Sequence, residues 1–223
     1  MTTPAVKGDK LAAEVLKFFE EHRLVAVIRT SSAEDAEEMI QAAIRGGFHL
    51  FEVSMQTPQA LKLLETFGKK DSLLLGAGTV TDGEMAQRAI NAGAKFLATH
   101  YTDRDVISVA KNNDSVVIAG AATPTEAFNA YQLGADLIKI YPAGFLGGPL
   151  YFKALKGPLP FLKLAADGNV EADHLMDYLK YCQVVCLTSA LFEPALVRSN
   201  KWAEITDRAK QLTQKLESLK VPK

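Results

Sequence analysis

The chain has 223 residues, 48% of them hydrophobic and 23% charged, with a formal net charge of −1. That length holds one large α/β domain or two small ones, and so even a charge balance offers no grip to nucleic acid or to a membrane surface. The two cysteines, Cys182 and Cys186, stand in a C-x-x-x-C spacing without further ligands, which fits a reducing, cytoplasmic setting and argues against structural zinc.

The opening MTTPAVKGDK has no apolar core of the signal-peptide kind, and no apolar run reaches transmembrane length. Residues 1–8 are expected to be loose. From Asp9 a cappable helix runs to about His22, with Leu11, Val15, Leu16 and Phe19 on one side. LVAVI (24–28) reads as a strand. Ser32 opens a helix that stops at Gly46-Gly47, and Asp35 sits where a capping box places its acid. Strand FHLFEV (48–53) and a helix over about 58–67 follow. The alternation then repeats: strand 73–77, helix 82–91, strand 95–98, helix 103–112, strand 116–119, helix 123–133, strand 136–141 and a short helix 149–155. Strand 162–165, helix 171–181, strand 184–187 and a last amphipathic helix 202–219 complete it.

Most of these strands are continuous apolar runs, the pattern of parallel strands buried on both faces. Eight βα units in this length predict one (β/α)₈ TIM barrel spanning 1–223, with an N-terminal helix added. An open doubly wound sheet is the runner-up, but no G-x-G-x-x-G follows a strand.

Barrel chemistry sits at the C-terminal ends of strands. Those ends carry Arg29, Glu52, Thr79, Thr99 with His100, Gly120 leading to Thr123, Lys139, Asp167 with Gly168, and Thr188 with Ser189. Side-chain alternation puts Val25, Val27 and Arg29 on one face, Phe48, Leu50 and Glu52 on another, and Leu137, Lys139 and Tyr141 on a third. An Arg, a Glu and a Lys thus converge in one barrel mouth. Lys139 lies inside an apolar run ended by Pro142. Such a lysine is either a desolvated amine poised for Schiff-base chemistry or a strand-end lysine snorkelling to water. The Arg–Glu–Lys set is equally readable as a structural ion-pair network. His49 and His174 read as surface residues, Cys186, Phe192 and Trp202 as packing residues, and His100 as a strand-end histidine or a ligand contact.

The segments VAVIRT (25–30), GGFHLFEVSMQTP (46–58), GAGTV (76–80), AGAKF (92–96), ATPTEAFNAYQLGAD (122–136), KIYPA (139–143) and KALKGPLP (153–160) resemble the 2-keto-3-deoxy-6-phosphogluconate (KDPG) and 4-hydroxy-2-oxoglutarate (KHG) aldolases. The ordered set TPTE, K-x-[FY]-P-A and GP-[FL]-P carries most of that likeness. The resemblance implies a Schiff-base aldolase that assembles as a homotrimer and releases pyruvate from a 2-oxo acid, with no metal or other cofactor. Lys139 would be the Schiff-base lysine and Glu52 the general acid–base. Arg29 and Thr79 would hold the substrate carboxylate; some relatives carry an arginine near the position of Gln56, others at that of Arg29. Gly168, Asp167 and Ser189 fall where relatives bind the substrate's tail.

One departure concerns that tail. Relatives that hold a phosphate carry P-T-G-G after strand seven, and this chain has Ala166-Asp167-Gly168-Asn169. An Asp167 carboxylate facing a phosphate would repel it, which predicts poor binding of phosphorylated acids. It also raises an alternative function, decarboxylation of oxaloacetate through the same imine. A third reading keeps the barrel as a non-catalytic sugar-acid sensor.

Overall fold

The structure is a computed structural model that describes residues 9–218. The expectation of a loose 1–8 segment and the helix end at Leu219 lie outside the described residues. Eight parallel strands close into a barrel in sequence order: β1 (Leu24–Ile28), β2 (Leu50–Ser54), β3 (Leu74–Gly78), β4 (Phe96–Ala98), β5 (Val116–Ala121), β6 (Leu137–Ile140), β7 (Leu164–Ala166) and β8 (Val184–Leu187). The helices are α1 (Asp9–His22), α2 (Ala33–Arg45), α3 (Ala60–Phe67), α4 (Gly83–Asn91), α5 (Arg104–Asn112), α6 (Pro124–Gln132), α7 (Pro149–Lys156), α8 (Leu175–Tyr178), α9 (Pro194–Arg198) and α10 (Trp202–Glu217). The (β/α)₈ expectation holds and the open-sheet runner-up falls.

Local chemistry sets the element ends. Ser32 and Asp82 each accept an N–H three residues on, and Thr123 makes a full reciprocal box with Glu126. Several strand and helix ends differ from the sequence expectation by one or two residues, and three departures concern the helices. Gln59 takes a left-handed conformation, so α3 begins at Ala60 rather than near 58. The expected helix over 171–181 is a 3₁₀ turn at Ala172–His174 followed by the single turn of α8. The short α9 was not foreseen; only Pro194, at its first position, marks it.

Strand parity divides the core in two. Ala26, Ile28, Phe51, Val53, Leu75, Ala77 and their equivalents face outward to the helices. Val25, Val27, Leu50, Leu74, Phe96, Val116, Leu137, Ala165, Val184 and Cys186 fill the interior, and α1 adds Val15 and Phe19 to the same cluster. The Phe19 and Phe96 rings meet edge-on at 5.1 Å. The interior is therefore apolar from α1 upward until the layer that holds Glu52, Lys139 and Asp167.

Candidate active site

Glu52 and Lys139 come from β2 and β6, which stand opposite one another in an eight-stranded ring. Both side chains point inward and meet: Lys139 Nζ donates to Glu52 at 2.8 Å to Oε2 and 3.0 Å to Oε1. Lys139 is fully buried, so the snorkelling alternative is excluded. Asp167 follows β7 and shares the inward parity of Ala165; its Oδ2 lies 3.0 Å from Lys139 Nζ. That oxygen makes an ion pair but no directed hydrogen bond, because the approach to Nζ is off the bonding direction.

Small residues make the room. A Cβ on Gly78 would fall 2.1 Å from Glu52 Oε1, and one on Gly76 would fall 2.4 Å from the Phe96 ring. A Cβ on Gly120, beside Lys139 in the sheet, would meet the backbone of His100 at 2.1 Å.

Electrostatics correct one expectation. Burial lowers the affinity of Lys139 for its proton, as its apolar neighbours suggested, but Asp167 and Glu52 outweigh burial and raise its pKa above the ordinary lysine range. The resting group is an ammonium clamped between two carboxylates. Burial pushes the Glu52 carboxyl up; Lys139 pulls it back and Asp167 pushes it further, leaving it raised. Burial likewise pushes the Cys186 thiol well up, so it remains a protonated core group under the lysine. Among the described residues, Glu52, Asp167 and Cys186 bring donor atoms within 4.8 Å of one another, close enough for a metal ion. Lys139 already supplies the cation between the two carboxylates.

The rim is built by Arg29, Thr79, His100 and Tyr141. Arg29 Nη2 donates to Thr79 Oγ1 at 3.3 Å and lies 3.3 Å from His100 Nε2. Thr79 takes the left-handed conformation, φ 56°, costly for a β-branched residue. Its hydroxyl also accepts from Ser54 at 3.1 Å. Ser54 was missed from the sequence, although the parity that selects Leu50 and Glu52 selects it too. The His100 ring stands edge-on to Tyr141 at 4.4 Å.

Two expected strand-end candidates serve the scaffold instead. Thr99 donates to Tyr101 O and accepts from Gly120 N, and Thr123 caps α6. Asp167 is the main correction. Its carboxylate is buried beside Lys139 and does not project into the loop after β7, so the predicted repulsion of a phosphate there loses its basis. That loop is fastened by Ala143 N to Asp167 O at 2.7 Å and Gly144 N to Gly168 O at 2.9 Å. Gly168 (φ 85°) and Asn169 (φ 53°) both take left-handed turns, and a Cβ on Gly168 would press on Tyr141 and Pro142 at 2.9 Å. Among the described residues, the N–H groups of Gly168, Asn169, Ser189 and Ala190 donate to nothing. Asn169 and Ser189 border one cavity of about 370 Å³ that reaches Arg208 and Lys215 on α10.

The model of the KDPG and KHG aldolase family matches residues 15–208. The chain belongs to that family. It is 29% identical over 199 residues to the 2-dehydro-3-deoxy-phosphogluconate aldolase of Pseudomonas aeruginosa, covering 88% of this chain and 90% of the relative. It is 32% identical over 180 residues to a probable 2-dehydro-3-deoxy-6-phosphogalactonate aldolase of Rhizobium meliloti, covering 79% and 84%. Among solved structures it matches the KDPG aldolase of Legionella pneumophila, in which pyruvate is captured at low pH as a covalent carbinolamine. That match has a TM-score of 0.78 and 25% identity over 93% of this chain and 98% of the other. The chain is thus an aldolase with a TIM-barrel fold. No described helix is long and apolar enough to cross a membrane.

Proposed function

We propose that this aldolase cleaves a 4-hydroxy-2-oxo acid of the KDPG or KHG type to pyruvate and an aldehyde, through a Schiff base on Lys139. The observation that carries the reading is a fully buried lysine hydrogen-bonded to both oxygens of Glu52. An ammonium cannot attack a carbonyl, so a carboxylate must first take its proton. The amine then adds to the keto carbon, water leaves, and the iminium draws the C3–C4 bonding electrons as the C4 hydroxyl loses its proton to Glu52. The resulting enamine is protonated at carbon to give pyruvate after hydrolysis. A Glu52 carboxyl held above its usual range is matched to such repeated transfers.

Arg29 offers the substrate carboxylate a charged fork at the rim, beside the Thr79 hydroxyl. The undonated N–H groups at Gly168, Asn169, Ser189 and Ala190 suit an anionic tail, as the loops after strands seven and eight of such barrels often do. The Pseudomonas and Rhizobium relatives are aldolases of phosphorylated acids by name, and decarboxylation of oxaloacetate finds no support among them. Family resemblance also carries a homotrimer into this reading. The test is trapping: pyruvate with borohydride should leave an adduct on Lys139, and Lys139→Met should abolish both adduct and turnover of KDPG and KHG. An adduct on another lysine, or turnover in the variant, refutes the mechanism.

A further inference from the structure

Glu52 accepts two of the three hydrogens of the Lys139 ammonium. A second buried carboxylate beside it is a liability for folding, since Asp167 Oδ2 is shut from solvent and receives no hydrogen bond. The relatives with P-T-G-G place a neutral threonine at this point. Something other than stability therefore accounts for a carboxylate 3.0 Å from Nζ. We propose that Asp167 is a second catalytic carboxylate, which takes the first proton from the Lys139 ammonium and returns it to the departing hydroxide, while Glu52 moves the carbinolamine proton from nitrogen to oxygen and serves the substrate's carbon. The proposal rests on the Schiff-base reading of Lys139.

The protons balance without an outside base. Lys139 ammonium gives one proton to Asp167 and becomes an amine. Its lone pair bonds to the keto carbon as the C=O π pair moves to oxygen. The new N–H⁺ loses a proton to Glu52, which hands it to the alkoxide to make the carbinolamine. The nitrogen lone pair then forms the C=N bond while hydroxide departs with the proton held on Asp167, as water. Both carboxylates end ionised, and the iminium lies between them. Among the described residues, the charged or titratable groups that feel Asp167 fit this sequence: Lys139 from β6, Glu52 from β2, the protonated Cys186 from β8 and neutral His100 after β4, with Arg29 after β1 acting on Glu52 and His100. Among the described residues, only Lys139 stands within ion-pair distance of Asp167.

The experiment measures the rate and pH dependence of borohydride trapping with pyruvate in the full chain, for wild type, Asp167→Asn and Asp167→Thr. Both variants should form the Lys139 adduct at least about 100-fold more slowly near neutral pH, the scale of one lost acid–base group. Their half-maximal trapping should also move to lower pH by a unit or more, because one of the two charges holding the ammonium is gone. Exchange of the pyruvate methyl hydrogens with deuterium, counted per imine formed, should stay within about twofold of wild type in these variants and collapse in Glu52→Gln. A folded Asp167→Thr with wild-type trapping rate and midpoint overturns the assignment and leaves the Schiff-base reading intact. Exchange per imine that falls with Asp167 as it does with Glu52 overturns the division of labour. A wild type that forms no adduct refutes the Schiff-base reading and this inference with it.

Discussion

His100 shows how one residue can be read from its neighbours. A guanidinium only donates, so the contact at 3.3 Å makes His100 Nε2 the acceptor and puts the imidazole hydrogen on Nδ1. Burial, then the charges of Lys139 and Arg29, push its pKa from 6.5 to about 4, against the pull of Asp167. An unfolded histidine gains its proton as pH falls through 6.5, whereas this one stays neutral until about 4. The folded state therefore loses stability across that window and is unaffected by this residue above it. In His100→Gln that loss disappears, so the melting temperature of the variant should gain on wild type as pH falls from 6.5 to about 4. Parallel melting curves over that range would show that the imidazole is not held neutral. The sequence offered His100 only as one of several strand-end residues; its role depends on Arg29, 71 positions away, which no local pattern relates to it.

At the scale of elements, the inward glycines of β3 decide whether the site can exist. Gly76 and Gly78 share a parity, and they yield to Phe96 and Glu52 respectively. Gly78→Ala should push Glu52 off Lys139 and cut turnover by at least about 100-fold, the worth of a misplaced acid–base group. Gly76→Ala leaves Glu52 alone but overpacks the floor, and should cost about 1–3 kcal/mol in a denaturant melt. Equal losses of activity in both variants would mean that β3 acts only as packing. The strands themselves were legible because each is an apolar run between turn residues, and parity alone brought Arg29, Glu52 and Lys139 together. Asp167 was legible by the same rule, since it is two residues past the inward Ala165. Reading it as part of a loop hid that, because β7 has only three residues and the family's loop pattern begins at the strand's end. Alternation also could not show that two carboxylates would outweigh burial at Lys139. That sign depends on distances of 2.8 and 3.0 Å between strands far apart in sequence. The one-turn α9 escaped, and α8 was read as part of a longer helix, because elements so short have no periodicity to detect.

For the whole molecule, the division of the barrel into an apolar floor and a charged mouth leaves the outer helices to determine how the chain meets its surroundings. Most large apolar side chains there are covered, but among the described residues Leu11, Tyr101, Phe145 and Leu150 are exposed singly, and Phe128 and Tyr131 on α6 and Phe161 after α7 are exposed together. Their rings form one patch: Tyr131 and Phe161 lie 4.9 Å apart, and Phe128 lies 6.4 and 6.5 Å from them. Contiguous exposed aromatics of this kind mark interaction surfaces, and aromatic residues are enriched at such contacts. A closed ring of three copies requires a heterologous contact, in which this patch on one copy meets a different surface of the next. Light scattering should then return three times 24.2 kDa for the wild type. Tyr131→Glu combined with Phe161→Glu should yield monomers, because two buried charges on an apolar contact cost more than a weak interface supplies. The far-ultraviolet dichroism should be unchanged, since neither residue belongs to the core. A wild-type mass of one chain would remove the trimer; a trimer that survives both charges would move the interface to another face of the barrel.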